Sequence, residues 1–221
     1  MIIFQKNKII LTIALFLLCT HPTTAQFRFG LTGGLTVSSH TGKDFSATDI
    51  PKFGMTFGFF YEREFNKIVS IVVEPSFEQK GSEFTYFPKS NTKVTVDAEL
   101  DYITIPIMLK ANFGHNINYY LTGGLALSYL NKYSSDVHAY FKEFEIDSSP
   151  FFPYSYDNID ASVSIGGGIM WREIFFDLRY VLGIRSLYGG KNVPDIRNHM
   201  LSLKLAYSLQ RQKYVPCHKR R

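Results

Sequence analysis

Between Leu100 and Leu130 the chain reads LDYITIPIMLKANFGHNINYYLTGGLALSYL, two long alternating stretches joined at Gly114-His115-Asn116. Alternation with a period of two belongs to β-strands, whose successive side chains point to opposite faces. In the first stretch Ile103, Ile105, Ile107, Leu109, Ala111 and Phe113 oppose Tyr102, Thr104, Pro106, Met108, Lys110 and Asn112. The second sets Tyr119, Leu121, Gly123, Leu125, Leu127 and Tyr129 against Tyr120, Thr122, Gly124, Ala126 and Ser128. A hairpin this long, greasy along one whole face, needs an apolar surrounding on that face.

The same phase recurs through the rest of the chain. Strands are predicted from Phe27 to Ser38, Phe53 to Glu62, Val69 to Lys80, Ala161 to Arg172, Ile174 to Arg185 and Leu201 to Leu209, making eight with the central pair. Short connections at Phe65 to Lys67, Gly114 to Asn116 and Arg172 to Glu173 alternate with long ones at Ser39 to Ile50, Phe87 to Thr92, Tyr133 to Asn158 and Tyr188 to Arg197. Short turns on one side and long loops on the other are the asymmetry of an outer-membrane barrel. The predicted fold is therefore all-β, an eight-stranded antiparallel up-and-down transmembrane barrel with short periplasmic turns and long extracellular loops.

The distribution of charge decides which face is outside. A soluble eight-stranded barrel points its apolar residues inward, and a soluble sandwich packs its apolar faces together. Here the polar face carries small residues together with Glu62, Glu74, Glu78, Lys80, Lys110, Arg172, Asp177, Arg179, Arg185 and Lys204. That mixture suits a narrow lumen filled by side chains, which eight strands enclose. Those charges are predicted to pair across the lumen, because an unpaired charge there costs several kcal/mol. A filled interior argues against a general pore. Pro75 and Pro106 each remove a ladder donor and are read as bulge sites.

Lys6 and Lys8 followed by the apolar run Ile9 to Leu18, with Thr23-Thr24-Ala25 behind it, match a secretory signal peptide over residues 1–25. A run of ten residues falls short of the ~20 that a spanning helix needs. A rival lipoprotein reading would acylate Cys19, but Leu18 stands where that processing wants a small residue. The barrel domain is placed at 26–209 and a disordered basic tail at 210–221. Cleavage would leave Cys217 alone, so no internal disulfide is expected. Losing Lys6 and Lys8 takes the formal charge from +5 to +3, and the tail contributes Arg211, Lys213, Lys219, Arg220 and Arg221. The body therefore has no basic face for nucleic acid.

Leu100-Asp101-Tyr102-Ile103-Thr104-Ile105-Pro106-Ile107-Met108-Leu109-Lys110 resembles a segment of the small outer-membrane β-barrel family of Bacteroidota, porin-family or PorT-like proteins. Gly30-Leu31-Thr32-Gly33-Gly34, Tyr120-Leu121-Thr122-Gly123-Gly124 and Gln26 after the cleavage site are similar too. The resemblance implies an eight-stranded outer-membrane barrel with no catalytic motif. PorT-like members are associated with secretion through the type IX system. Members usually end on the aromatic that closes the last strand, whereas here twelve residues follow Leu209.

The loop from Tyr133 to Asn158 is the candidate partner-binding region. Tyr140, Phe141, Phe144, Phe151, Phe152, Tyr154 and Tyr156 stand there among Asp136, Lys142, Glu143, Glu145 and Asp147. Aromatics at this density favour an extracellular protein or glycan, or a lid folded over the barrel mouth. Outer-membrane hydrolases place a histidine with a carboxylate or serine at the rim. Here only His199, near Asp195 and Ser202, forms such a group, with His40 and His138 in loops on the same side. No His or Cys pair has metal-ligand spacing. The expectation is a monomeric, non-enzymatic protein without cofactors, surrounded by outer-membrane lipid. Secretion component and lipid hydrolase are the alternatives.

Overall fold

The computed structural model describes residues 27–42, 48–89, 92–114, 118–141, 144–147, 157–187 and 196–210. The strands are β1 (Phe27–Gly42), β2 (Thr48–Glu64), β3 (Val69–Val73), β4 (Ser76–Lys89) and β5 (Thr92–Phe113). They continue with β6 (Asn118–Phe141), β7 (Phe144–Asp147), β8 (Ile159–Trp171), β9 (Ile174–Gly183) and β10 (Ile196–Ser208). All neighbouring pairs are antiparallel, and β1 is bonded to β2 on one side and to β10 on the other, so the sheet closes.

β3 and β4 both lie between β2 and β5, two segments of one strand. β7 pairs with β6 alone and stands outside the ring. Eight positions around the barrel remain, those that the alternation predicts. Closure leaves no edge in hydrocarbon, where an unpaired backbone group cannot reach water.

Parity sorts the side chains. Leu121 is 60% exposed and its neighbour Tyr120 is 4% exposed. The same step repeats along β5, where Ile103, Ile105, Ile107 and Leu109 are exposed and Tyr102, Thr104, Met108 and Lys110 are buried. An apolar exterior around a polar interior inverts a soluble barrel and matches a lipid surrounding. On β5 the apolar outer face runs from Ile103 to Phe113 and on β6 from Tyr119 to Tyr129, the ~9–11 residues a tilted strand needs to cross.

Neither proline makes a bulge. β3 and β4 keep one register with β5, from Val73↔Ile107 to Ser76↔Thr104, and one with β2, from Tyr61↔Val73 to Gly58↔Ser76. Glu74 N donates to Pro106 O at 3.2 Å and Phe59 N to Pro75 O at 3.0 Å. Each return bond would need a proline N–H, which does not exist. Two missing bonds, with no extra residue, interrupt the strand at Glu74-Pro75.

Register shifts occur elsewhere, between Pro51 and Thr56 on β2 and at Asp101/Tyr102 on β5, where Asn131 is the extra residue of β6. Both fall where the lipid-facing apolar residues end.

Three long connections are shorter than the sequence suggests. β4 and β5 pair out to Lys89↔Thr92, and β5 and β6 out to Thr92↔Phe141. The stretch from Tyr133 onward is therefore strand up to Phe141, followed by the short partner β7. Ladder bonding continued past the apolar face because Val94, Thr95 and Val96 sit opposite Ala139, His138 and Val137, pairs with strand-favouring branched residues. The Ser39 to Ile50 connection likewise shrinks to the five residues between β1 and β2.

Candidate functional site

The inward face builds three linked charge centres. Nearest the short turns, Lys110 Nζ donates to Glu62 Oε2 at 3.0 Å and Ser70 Oγ to Glu62 Oε1 at 2.6 Å. Arg28 Nη2 donates to Glu62 Oε1 at 3.3 Å and also pairs with Glu64. The Lys110 ammonium lies over the rings of Tyr120 and Phe175, 4.4 and 4.7 Å from their centroids. Aromatic faces replace part of the hydration that burial removes.

At the middle level Arg179 grips Glu74 with both arms, Nη1 to Oε1 at 3.3 Å and Nη2 to Oε2 at 3.2 Å. Lys204 Nζ donates to the same Oε1 at 2.8 Å, and Asp177 lies 3.0 Å from Arg179. Further out, Lys80 sits 3.4 Å from Glu78 and 4.8 Å from the Tyr102 ring centroid, while Lys204 reaches Glu78 at 3.6 Å. Lys204 thus bridges the middle and outer centres. Bidentate pairing of this kind compensates the large cost of burying ions.

Apolar side chains close the lumen at both levels. Phe60, Val72, Met108, Tyr120, Met170 and Phe175 pack together toward the turn side. Leu100, Tyr102, Leu130, Leu187 and Ile196 pack together toward the other mouth. Between the charges remains a cavity of about 40 Å³, lined among others by Thr32, Glu74, Thr122 and Asp177. That volume holds a few waters at most. Two glycines shape the barrel: Gly168 lets Tyr120 swing across it, and Gly114 takes φ 110° where β5 ends.

Of the residues expected in the lumen, Glu62, Glu74, Glu78, Lys110, Asp177, Arg179 and Lys204 are buried and joined by ion pairs. Arg172 and Arg185 are elsewhere. Arg172 occupies the two-residue turn between β8 and β9 at φ 57° and lies over the Trp171 ring, 5.3 Å from its centroid. Arg185 follows the end of β9, is half-exposed, and donates to Asp157 Oδ2 at 2.6 Å. Parity places a side chain only while the ladder lasts, and both residues stand just beyond it. Lys80, expected on the same face, is buried and paired with Glu78, and the expected network lacks Arg28, though the same parity puts it inside.

Tyr140 and Phe141 end β6 and Phe144 begins β7, with Phe141 paired to Phe144 across the hairpin. Phe151, Phe152, Tyr154 and Tyr156 lie outside the described residues, as do residues 1–26, Asp195 and residues 211–221. His199 and Ser202 do not meet. Ser202 is fully buried in the lumen and its hydroxyl donates to Arg179 O at 3.5 Å, whereas His199 stacks on the exposed Tyr180 with Nδ1 3.2 Å from the phenol oxygen. His40 instead approaches Ser82 at 2.5 Å, both buried inside the barrel.

The family model of the outer membrane protein beta-barrel domain matches residues 20–189. The chain belongs to that family. It is an outer-membrane β-barrel, and its location is the outer membrane. No curated protein sequence matches it.

Among solved structures the barrel is similar to Ail, the attachment invasion locus protein of Yersinia pestis, in complex with the heparin analogue sucrose octasulfate. Identity is 12%, with 83% of this chain and 99% of that one covered, at a TM-score of 0.44. Neisserial surface protein A gives 10% identity, 81% and 96% coverage and a TM-score of 0.42. The outer membrane enzyme PagL gives 10% identity, 78% and 97% coverage and a TM-score of 0.29.

Proposed function

We propose that this outer-membrane barrel is a non-enzymatic, monomeric surface protein of the PorT-like, Bacteroidota type, which presents strands rather than a channel to the exterior. The observation that carries this is the extension of β4, β5 and β6 beyond the lipid-facing band. β5 and β6 continue as a paired ribbon for the stretch from Asp101/Lys132 to Thr92/Phe141, about 30 Å at ~3.3 Å per residue. Its stem is polar where Asn131, Lys132, Tyr133 and Ser134 stand exposed. The hairpin of β6 with β7 sits at its end and brings Phe141 and Phe144 together in the backbone ladder. An extracellular protein or glycan is the partner such an aromatic-tipped ribbon suits.

The lumen supports the same reading, since three charge centres and two apolar plugs fill it. So does the separation of His199 from Ser202 onto opposite faces, because a hydrolytic pair needs hydrogen-bond reach.

The test is a chain whose ribbon is cut back to the bulge, with residues 81–99 between β4 and β5 and residues 133–156 between β6 and β8 each replaced by a short turn. It is expected to fold and reach the outer membrane, and to lose binding of intact cells to extracellular-matrix protein and sulfated-glycan arrays. Binding that survives the shortening contradicts the reading. Secreted proteins that change in a deletion strain, and recover with the shortened chain, would favour a secretion component acting through the periplasmic turns.

A further inference from the structure

Asp160 is the buried carboxylate that the lumen's cations do not reach. Glu62, Glu74, Glu78 and Asp177 each have a lysine or arginine within ion-pair distance. Asp160, on β8 and 3% exposed, has none among the described residues. The hydrogen bond it receives comes from Asn198 Nδ2, which donates to Oδ2 at 3.1 Å. Asp160 Oδ1 is buried without a hydrogen-bond partner, and so are Ser162 Oγ and Asn198 Oδ1 beside it.

Apart from the buried His40 imidazole, which lies against Asn198, the surroundings are built from oxygens. Ser162 is the next inward position on β8, and Ser128 pairs with Asp160 from β6, its hydroxyl 2.9 Å from that of Thr104. Gly183, paired with Ser162, adds no side chain to the row. Leu130 and Ile196 lie two positions further out on β6 and β10 and belong to the outer apolar plug, which separates the group from bulk water.

A lone ionised carboxylate in such a place costs several kcal/mol unless a positive charge joins it. The atoms left without partners are carboxylate, hydroxyl and amide oxygens, ligands of hard cations. One carboxylate among neutral groups is balanced by one positive charge, whereas a divalent ion would leave an excess in a low-dielectric interior. We propose that Asp160, with Ser162 and Asn198, holds a monovalent alkali cation, sodium in class, in the outer part of the lumen. The ion ties β8 to β10 across β9 beneath the outer plug.

The full chain, folded in detergent micelles, is unfolded with urea in sodium chloride and in N-methylglucamine chloride at equal ionic strength. In the wild type each tenfold rise in sodium above its dissociation constant is expected to lower the unfolding constant about tenfold. Asp160→Asn should show no sodium dependence, and Ser162→Ala a titration displaced to several-fold higher sodium. Should Asp160→Asn not fold, the Ser162→Ala titration decides, and an undisplaced curve overturns the proposal. Equal stability of the wild type in the two salts overturns it, as does an Asp160→Asn variant that keeps the sodium response. A response to calcium but not to sodium overturns the monovalent assignment.

Discussion

Lys204 on β10 and Glu74, between β3 and β4, meet inside the barrel at 2.8 Å although 130 positions separate them in the chain. Glu74 also holds both arms of Arg179, so its carboxylate pairs with two buried cations from neighbouring strands. Glu74→Ala leaves both inside with less compensation and should destabilise the barrel by about 3–5 kcal/mol, read as a fall in the urea midpoint in micelles. Lys52→Ala, which breaks half-open pairs with Asp97 and Glu99, should cost under about 1 kcal/mol.

Gly168 faces the lumen beneath Tyr120. A Cβ there would stand 1.9 Å from Phe176 O and 2.5 Å from the Tyr120 hydroxyl oxygen. The backbone oxygen cannot yield without disturbing the β8–β9 ladder. Gly168→Ala should therefore lose about 1–3 kcal/mol to overpacking, with a smaller heat-modifiable fraction on gels. The same substitution at Gly123, whose nearest neighbour to an added Cβ is 4.0 Å away, should be tolerated.

Leu125 lies at the middle of the lipid-facing run and Phe113 at its turn-side end. Leu125→Arg should destabilise the barrel in lipid by about 2–4 kcal/mol, and Phe113→Arg by about 0–1 kcal/mol, because the cost of an outward charge depends on depth. Urea titration in phosphatidylcholine vesicles measures both. Equal costs would contradict the assignment of this face to lipid.

His199 stacks on Tyr180 at the exterior while Ser202 points inward. His199→Ala should leave the lipid composition of the outer membrane unchanged, as mass spectrometry of extracted lipid would register. Accumulation of an acylated species in that variant would instead make the rim a hydrolase.

The barrel itself is legible in the sequence because one physical rule, alternation on a pleated strand, runs through nearly all of it. Ile103 to Phe113 and Tyr119 to Tyr129 state which face meets lipid, and Glu62, Glu74, Lys110 and Arg179 follow from the same parity. Where the ladder ends the rule ends with it, and Arg172 and Arg185 are the residues misplaced for that reason. Pro75 and Pro106 suggested bulges because each lacks a donor; they are not extra residues, so the register runs through them. The true bulge at Asn131 has no local mark, being set by the transition from lipid-facing barrel to ribbon. The β5–β6 extension was hidden by polar composition, which reads as loop although its branched residues keep pairing. The Asp160 group depends on β8 and β10 meeting across β9, a relation no single strand carries.

The central claim is that the β5–β6 ribbon stands outside the cell and the turn between β2 and β3 faces the periplasm. With Cys217 replaced by serine, single cysteines at Ser134→Cys and Lys67→Cys are treated with a membrane-impermeant maleimide, against the parent without either. On intact cells Ser134→Cys should be labelled and Lys67→Cys should not, and both should react once the outer membrane is permeabilised. Labelling of Lys67→Cys on intact cells with Ser134→Cys silent would contradict the account.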